Sequence, residues 1–346
     1  MNPQPVLFFI IGRPRSGTTL LRSLLDTHDK IIVPPEYPFL LNVMRLSTSQ
    51  KLVADKEKTQ FFNNILAFQS HKNKLFELLR LNEELVRQKL FNQEVTAFEQ
   101  AFSIVLSECY SSRLDEPPLV VGDKNPVYSF FIRILLKKFP SAKFIFLVRD
   151  PRAQYASLKR FDFEAASPIL QALRWKKLIR NILKFRKKYP ERTLLVKYEQ
   201  LVANPTSELS NICQFLKLDF QDEMLNFYKY LPEGVKEDYR PMALQYHSSL
   251  SAPMSEQHAE KWKTELKPSE ISKIEYVAEA KMKQFGYVSS EIPKPFYLFF
   301  FQILWAFYSA LLQGLLYFIL LFPPGRRALL LKFVYKLSKL YKKLSR

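Results

Sequence analysis

The sequence predicts an α/β protein with a parallel sheet flanked by helices, built around a phosphate-binding P-loop, followed by a hydrophobic helical segment that associates with a membrane. Three observations lead to this prediction. Apolar runs of strand length alternate with helical patterns over most of the chain. The stretch GRPRSGTT, residues 12–19, separates the first such run from the first helical pattern. From Pro295 to Gly325 no residue is charged.

The first domain is predicted to cover residues 1–290. Four apolar runs have the length of buried parallel strands: VLFFII (6–11), LVVGDK (119–124), KFIFLVRD (143–150) and TLLVKYE (193–199). Further helices are predicted at 127–139, 151–160, 169–188 and 206–216. Residues 51–112 contain no glycine or proline and repeat apolar residues at helical spacing, which predicts an inserted helical layer.

Residues 291–346 are predicted to form a membrane-associated unit. The uncharged stretch is long enough to span a bilayer at ~1.5 Å per residue, and a basic amphipathic helix is predicted beyond the break at residues 323–325. A single span would place this basic tail on the far side of the membrane. We therefore expect a hairpin or interfacial segment, bent near Gln313 and Gly314, with the catalytic domain on the cytoplasmic face. The alternatives are a span and a helix pair that completes a soluble core.

The formal net charge of +19 fits nucleic acid, an anionic membrane or an anionic small molecule as partner. Seven basic residues lie on the predicted helix around Trp175 to Pro190, and this face is either solvated or meets phosphate head groups. Neither the two cysteines nor the four histidines have the spacing of a disulfide framework or a metal site. Residues 1–5 do not resemble a signal peptide. No metal is therefore expected, and the cytoplasm is the simplest location.

The loop between Gly12 and Gly17 has the glycine spacing that turns backbone N–H groups toward one anion, at the N-terminus of a helix. Thr18 stands where P-loop NTPases have their lysine, and the positive charge lies inside the loop at Arg13 and Arg15. A nucleoside triphosphate with magnesium is a poor fit to this arrangement. Arginine forks bind terminal oxyanions well, so a different activated anhydride is favoured.

The stretch RPRSGTTLLRSLLDTH resembles the 5′-phosphosulfate loop of sulfotransferases, which use 3′-phosphoadenosine 5′-phosphosulfate (PAPS) as donor. FIFLVRDPRAQYASL resembles the 3′-phosphate motif of that family, and LLVKYEQLVANP resembles a later segment that lies near the nucleotide. EKWKTEL, 260–266, loosely resembles a basic loop that closes over the donor. The resemblance covers roughly residues 6–287. The donor-binding residues that it implies are Arg13, Arg15, Ser16, Gly17, Thr18, Thr19, Arg149, Ser157, Tyr198 and Lys261.

The catalytic groups resemble those of the tyrosylprotein sulfotransferase branch. That similarity implies that Glu36 is the general base and that Arg15 and Lys124 stabilise the transferring group. Partial burial between Pro35 and Tyr37 is expected to raise the pKa of Glu36. The alternative is that Glu36 caps a helix or is a surface charge.

The function predicted from these motifs is sulfuryl transfer to a hydroxyl acceptor, with a lipid-linked, glycan or amphiphilic acceptor suggested by the hydrophobic tail. A P-loop kinase or NTPase is the second possibility, and Thr18 argues against it. The third is a non-enzymatic protein that binds anionic lipid or nucleic acid, which would explain the charge but neither anion motif. Nucleic acid is not expected as a partner.

Overall fold

The computed structural model describes residues 4–36, 40, 52, 54–66, 81–92, 94–109, 111, 114–160, 167–229, 248–322, 326–327 and 329–330. Five strands are present there: β1 Val6–Ile11, β2 Ile31–Ile32, β3 Val120–Lys124, β4 Lys143–Val148 and β5 Thr193–Lys197. The helices of the first part are α1 Thr18–Asp26, α2 Asp55–Leu66, α3 Glu83–Asn92, α4 Phe98–Glu108, α5 Ile132–Lys138 and α6 Pro151–Leu158. Those that follow are α7 Pro168–Lys188, α8 Tyr198–Ala203, α9 Pro205–Leu216, α10 Gln257–Glu260, α11 Trp262–Glu265, α12 Pro268–Gln284 and α13 Leu298–Ile319.

The strands form one parallel sheet in the order β2-β3-β1-β4-β5. The predicted α/β class and all four predicted strands are confirmed. The two-residue strand β2 was not predicted, because two isoleucines carry no periodicity. Since the chain order reverses on either side of β1, the carboxyl ends of β1 and its neighbours open a crevice at a topological switch point.

Side chains alternate between two cores, one on each face of the sheet. Phe8 and Ile10 point toward α1 and α9, whereas Phe9 points toward α4 and α5, where its ring lies 4.8 Å from that of Phe139. The inserted helices α2 and α4 add Phe61, Phe98 and Phe102 to the second core, which also receives α7 and α12. Burial of each such ring contributes about 1.5–3 kcal/mol and holds the helices against the sheet.

The C-terminal helix α13 packs along α7 and α12. Among the described residues it is the one helix long and apolar enough to cross a membrane. It continues without interruption through Gln313 and Gly314, so the expected bend there is wrong. The side-chain amide of Gln313 instead donates to the carbonyl oxygen of Phe130 at 3.0 Å and holds the helix on the domain. The predicted basic amphipathic helix lies almost entirely in 331–346, outside the described residues.

Candidate active site

The phosphate loop joins the carboxyl end of β1 to α1. Gly17 adopts a left-handed backbone with φ of 92° and is the N-cap of α1, without a side-chain cap of its own. A Cβ at Gly17 would lie 2.4 Å from the ring of Tyr198, so only glycine fits there. A Cβ at Gly12 would lie 2.9 Å from the carbonyl oxygen of Leu147. The loop therefore presents the amino end of α1 to a cleft with the backbone drawn close to it.

Arg15 and Arg149 line one side of this cleft, and Ser157 contacts Arg15 behind the lining. Arg15, itself at a φ of 67°, donates from Nε to Ser157 Oγ at 2.9 Å. Arg149 donates from Nη1 to the carbonyl oxygen of Arg15 at 3.1 Å and from Nη2 to that of His258. Its guanidinium lies over the ring of Tyr198, 4.2 Å from the centroid. Its Nε is buried and has no hydrogen-bond partner in the described part of the chain. The predicted 5′ and 3′ anion motifs thus form one site.

The electrostatics of this side are strongly positive. Burial, with the charges of Arg149 and Arg160, lowers the pKa of Arg15 from its ordinary value to about 10. Burial likewise lowers the pKa of His258, which lines the cleft, and the charges of Lys261 and Arg149 lower it further. A bound anion would relieve both penalties, so the arrangement favours a multiply charged anionic ligand.

Lys124, Thr19 and Glu36 meet at the neighbouring edge of the loop. Lys124 ends β3, is only 1% exposed, and donates from Nζ to Glu36 Oε2 at 2.7 Å and to Thr19 Oγ1 at 3.0 Å. The Glu36 side chain is 43% exposed, so the burial of its carboxylate is no more than partial. The ion pair with Lys124 orients Glu36, and its exposed side remains accessible to a substrate.

Asp123 lies beside Lys124 in β3 and on its buried side. Burial raises the pKa of Asp123 to about 7, although a hydrogen bond from the hydroxyl of Tyr128 opposes this increase. The same burial raises the pKa of Tyr128. The charge of Lys124 therefore acts on two carboxylates, the exposed one of Glu36 and the buried, readily protonated one of Asp123.

The structure does not bring every predicted residue to the cleft. Arg13 is 1% exposed, donates to Gln171 Oε1 at 3.0 Å and lies over the ring of Phe130, outside the residues that line the cleft. Ser16 is buried, and its amide donates to the carbonyl oxygen of Arg13 at 3.1 Å. Both arrangements indicate a structural contribution to the loop. Lys261 is exposed between α10 and α11, near His258 but outside the lining.

Other cleft residues were not predicted from the sequence. The lining consists of Arg15, Gly17, Thr18, Thr19, Leu20, Arg149, Tyr198, Val202, Leu250, Pro253, Met254, Ser255 and His258. Five of them, from Leu250 to His258, come from a segment without a motif, and its position just before EKWKTEL was the only signal. Among the described residues no group of three or more His, Cys, Asp or Glu side chains could hold a metal ion.

Comparisons with known proteins agree with this geometry. A profile described as the sulfotransferase family matches residues 5–222, more than half of the chain. Protein-tyrosine sulfotransferase of Drosophila melanogaster is 28% identical over 250 residues, which cover 68% of this chain and 43% of that protein. Protein-tyrosine sulfotransferase 1 of Danio rerio is 29% identical over 65% of this chain and 57% of its own length. The chain thus spans about half the length of these relatives.

Two further similarities bear on the fold and the acceptor. Omega-hydroxy-beta-dihydromenaquinone-9 sulfotransferase Stf3 of Mycobacterium bovis is 25% identical over 68% of this chain and 69% of its own. The sulfotransferase domain of the Synechococcus PCC 7002 olefin synthase superposes with a TM-score of 0.57 at 27% identity, covering 84% of this chain and 97% of that domain. This chain belongs to the sulfotransferase family.

Proposed function

We propose that the protein transfers a sulfuryl group from PAPS to a hydroxyl acceptor. The observation that carries this proposal is that two clusters of side chains lie at opposite edges of the phosphate loop. Arg15, Ser157 and Arg149 form an anion site, and Lys124 with Glu36 forms a polarising pair at the other edge of the same loop. A nucleotide with phosphate groups at both ends suits the first cluster, and an acceptor hydroxyl suits the second.

The described residues fit such a donor. The buried Nε of Arg149 lacks a partner and is suited to a 3′-phosphate, together with the Ser157 hydroxyl. The amino end of α1 and Arg15 are suited to the 5′-phosphosulfate, with Thr18 and Thr19 adding hydroxyl groups. The ring of Tyr198 packs against the Arg149 guanidinium and supports it. Lys261 follows α10, the short helix that contains His258, and it remains a predicted ligand.

Bound PAPS supplies an activated sulfuryl group whose sulfur–oxygen bond to the phosphate is the one that breaks. Glu36 takes the proton of the acceptor hydroxyl as its oxygen bonds to sulfur. Lys124 orients Glu36 and stabilises negative charge on the sulfuryl oxygens, while Arg15 stabilises charge on the departing phosphate. These cations supply the charge that a metal ion supplies in phosphoryl transfer, so we propose that turnover needs no metal.

The acceptor and location belong to the same proposal. The named relatives act on protein tyrosine and on a hydroxylated menaquinone, both of which present a hydroxyl group. The apolar helix α13 favours membrane association and with it a lipid-linked, glycan or amphiphilic acceptor. The cytoplasmic face of the membrane remains the predicted location of the catalytic domain.

Calorimetric titration tests the donor site. We expect 3′-phosphoadenosine 5′-phosphate, the spent donor, to bind the detergent-solubilised chain more tightly than ATP with magnesium. The Arg149→Ala variant should abolish this preference, because it removes the group suited to the 3′-phosphate. Glu36→Gln is the matched control and should bind the nucleotide normally. Preference for ATP, or binding that ignores Arg149→Ala, would contradict the proposal and favour a kinase or a non-enzymatic anion-binding protein.

A further inference from the structure

The helix α13 has its apolar face outward and its polar side chains toward the protein, which is the reverse of an ordinary surface helix. Every polar side chain in it, including Gln302, Ser309 and Gln313, is at least partly covered by the protein. Every exposed residue is Phe, Ile, Leu, Ala or Gly. A helix on the surface of a water-soluble domain places its polar residues outward. The outer face of α13 is therefore built for a surrounding that is not water.

This outer face is extensive and continuous along the helix. Its large members are 43–72% exposed: Phe299, Phe300, Phe301, Ile303, Leu304, Phe307, Leu311 and Phe318. The opposite face is fixed to the domain. Tyr317 donates from its hydroxyl to the carbonyl oxygen of Phe130 at 3.2 Å, and Leu298 and Ile319 are buried at the two ends.

Trp305 and Tyr308 lie near the middle of the helix on its partly covered side. Spanning helices place such amphipathic rings at their two ends. Tyr297 and Tyr317 lie at the two ends of α13, however, so the rings do not fix its orientation. Docking of the covered face along α7 and α12 leaves one face for lipid and indicates a helix that lies parallel to the membrane.

Basic residues flank the outer face. Lys177 of α7 contacts Gln313. Burial lowers the pKa of Lys177 most, and the charges of Arg180 and Arg133 lower it further. All three residues are exposed. None of them forms an ion pair with an acidic side chain within the described ranges. The helix α7 contains no acidic residue at all. Anionic groups are the complement of this flank.

We infer that α13 lies in one leaflet of an anionic bilayer, with its outer face among the acyl chains and Arg133, Lys177 and Arg180 on lipid phosphates. Apolar burial and head-group contact then act together, as in interfacial helices. The bilayer, rather than a second copy of the chain, is the occupant because a like-charged copy would bring the basic flanks together. This inference concerns membrane attachment and does not depend on the reaction catalysed.

Vesicle flotation of the full chain tests it after detergent removal, with phosphatidylcholine vesicles that contain either no or about 30% phosphatidylglycerol. We expect much tighter binding to the anionic vesicles, weakened by salt. Lys177→Gln with Arg180→Gln should weaken that binding about thirtyfold, since each basic residue near such a surface contributes about fivefold. The control, Lys217→Gln with Lys229→Gln, removes the same charge from the opposite face of the sheet and should bind as the wild type does.

A second variant pair tests the apolar face. Leu304→Gln with Phe307→Gln alters side chains that are 66% and 72% exposed, so the fold should persist while binding to both vesicle types falls. Equal binding by the basic variant and its control, or no preference for anionic vesicles, would overturn the head-group contact. Loss of a dimer in the apolar variant, with vesicle binding retained, would show that a second copy covers the face.

Discussion

Arg15 is expected to cost the donor-free protein stability, and we predict that Arg15→Gln raises its melting temperature while it weakens nucleotide binding. Burial and the charges of Arg149 and Arg160 hold the pKa of Arg15 at about 10. A cation with a lowered pKa in the folded state destabilises that state wherever it is charged in both states. The penalty is complete below pH 10 and is lost as the pH rises from there toward 12.5.

The magnitude follows from the same contacts. The lowering of the Arg15 pKa to about 10 corresponds to roughly 3 kcal/mol at ~1.4 kcal/mol per pKa unit. Removal of Arg15 also loses the hydrogen bond to Ser157, which contributes about 1 kcal/mol. The net gain is about 2 kcal/mol, which raises the melting temperature by roughly 3–6 °C in a domain of this size.

The assay is thermal unfolding followed by circular dichroism at pH 7.5, with and without 3′-phosphoadenosine 5′-phosphate. Without nucleotide the variant should melt above the wild type. At a concentration about 100 times the dissociation constant of the wild type, nucleotide should stabilise the wild type by about 2.7 kcal/mol and the variant by less, so the difference between the two melting temperatures should narrow. Arg186→Gln, which alters an exposed arginine at the end of α7, should change neither curve. A variant that melts below the wild type without nucleotide would refute this account of the charge cluster.

Three further predictions address the loop and β3. Lys124→Met should lower turnover by about 10²–10³-fold with nucleotide affinity within threefold of the wild type, measured by steady-state kinetics and calorimetry, because it removes charge stabilisation from the transferring group. Gly17→Ala should weaken nucleotide binding at least tenfold, since the new Cβ would displace Tyr198, the support of Arg149; unchanged affinity would show that the ring is free to move. Asp123, whose pKa is raised to about 7, should make the protein less stable as the pH rises from 4 to 7. The loss in free energy of unfolding between pH 5 and pH 7.5, measured by urea titration, should be about 2 kcal/mol smaller in the Asp123→Asn variant.

The sheet could be predicted because its strands are buried on both faces and appear as uninterrupted apolar runs. Positions within the loop could not, because Arg13 and Arg15 are chemically identical and differ only in backbone direction. The left-handed backbone of Arg15 turns its side chain to Ser157, while Arg13 enters the contact between α7 and the segment after β3. Sequence patterns do not contain that information.

The ion pair of Glu36 with Lys124 likewise joins residues 88 positions apart through strand order. Both residues could be predicted from the resemblance to a family, but the exposure of the Glu36 carboxylate could be seen only in the fold. At Gln313 a polar residue in an apolar stretch was interpreted as a bend. In the structure it is the point where a straight helix is fastened to the domain, since its side-chain amide donates to the carbonyl oxygen of Phe130.

Lys124, the proposed catalytic lysine, and the apolar helix α13 are linked through one short segment, and this link bears on the acceptor. Lys124 ends β3, a 3₁₀ helix follows at Pro126–Phe130, and the carbonyl oxygen of Phe130 accepts from both Gln313 and Tyr317 of α13. A bilayer on the outer face of α13 would lie about one helix diameter, ~10 Å, from that segment. An acceptor whose hydroxyl group lies at the leaflet surface would then be concentrated beside Glu36, whereas a soluble peptide would gain nothing from the membrane. Under the proposed function, anionic vesicles should therefore accelerate sulfation of a lipid alcohol and leave that of a tyrosine peptide unchanged; equal rates on both would separate membrane attachment from the choice of acceptor.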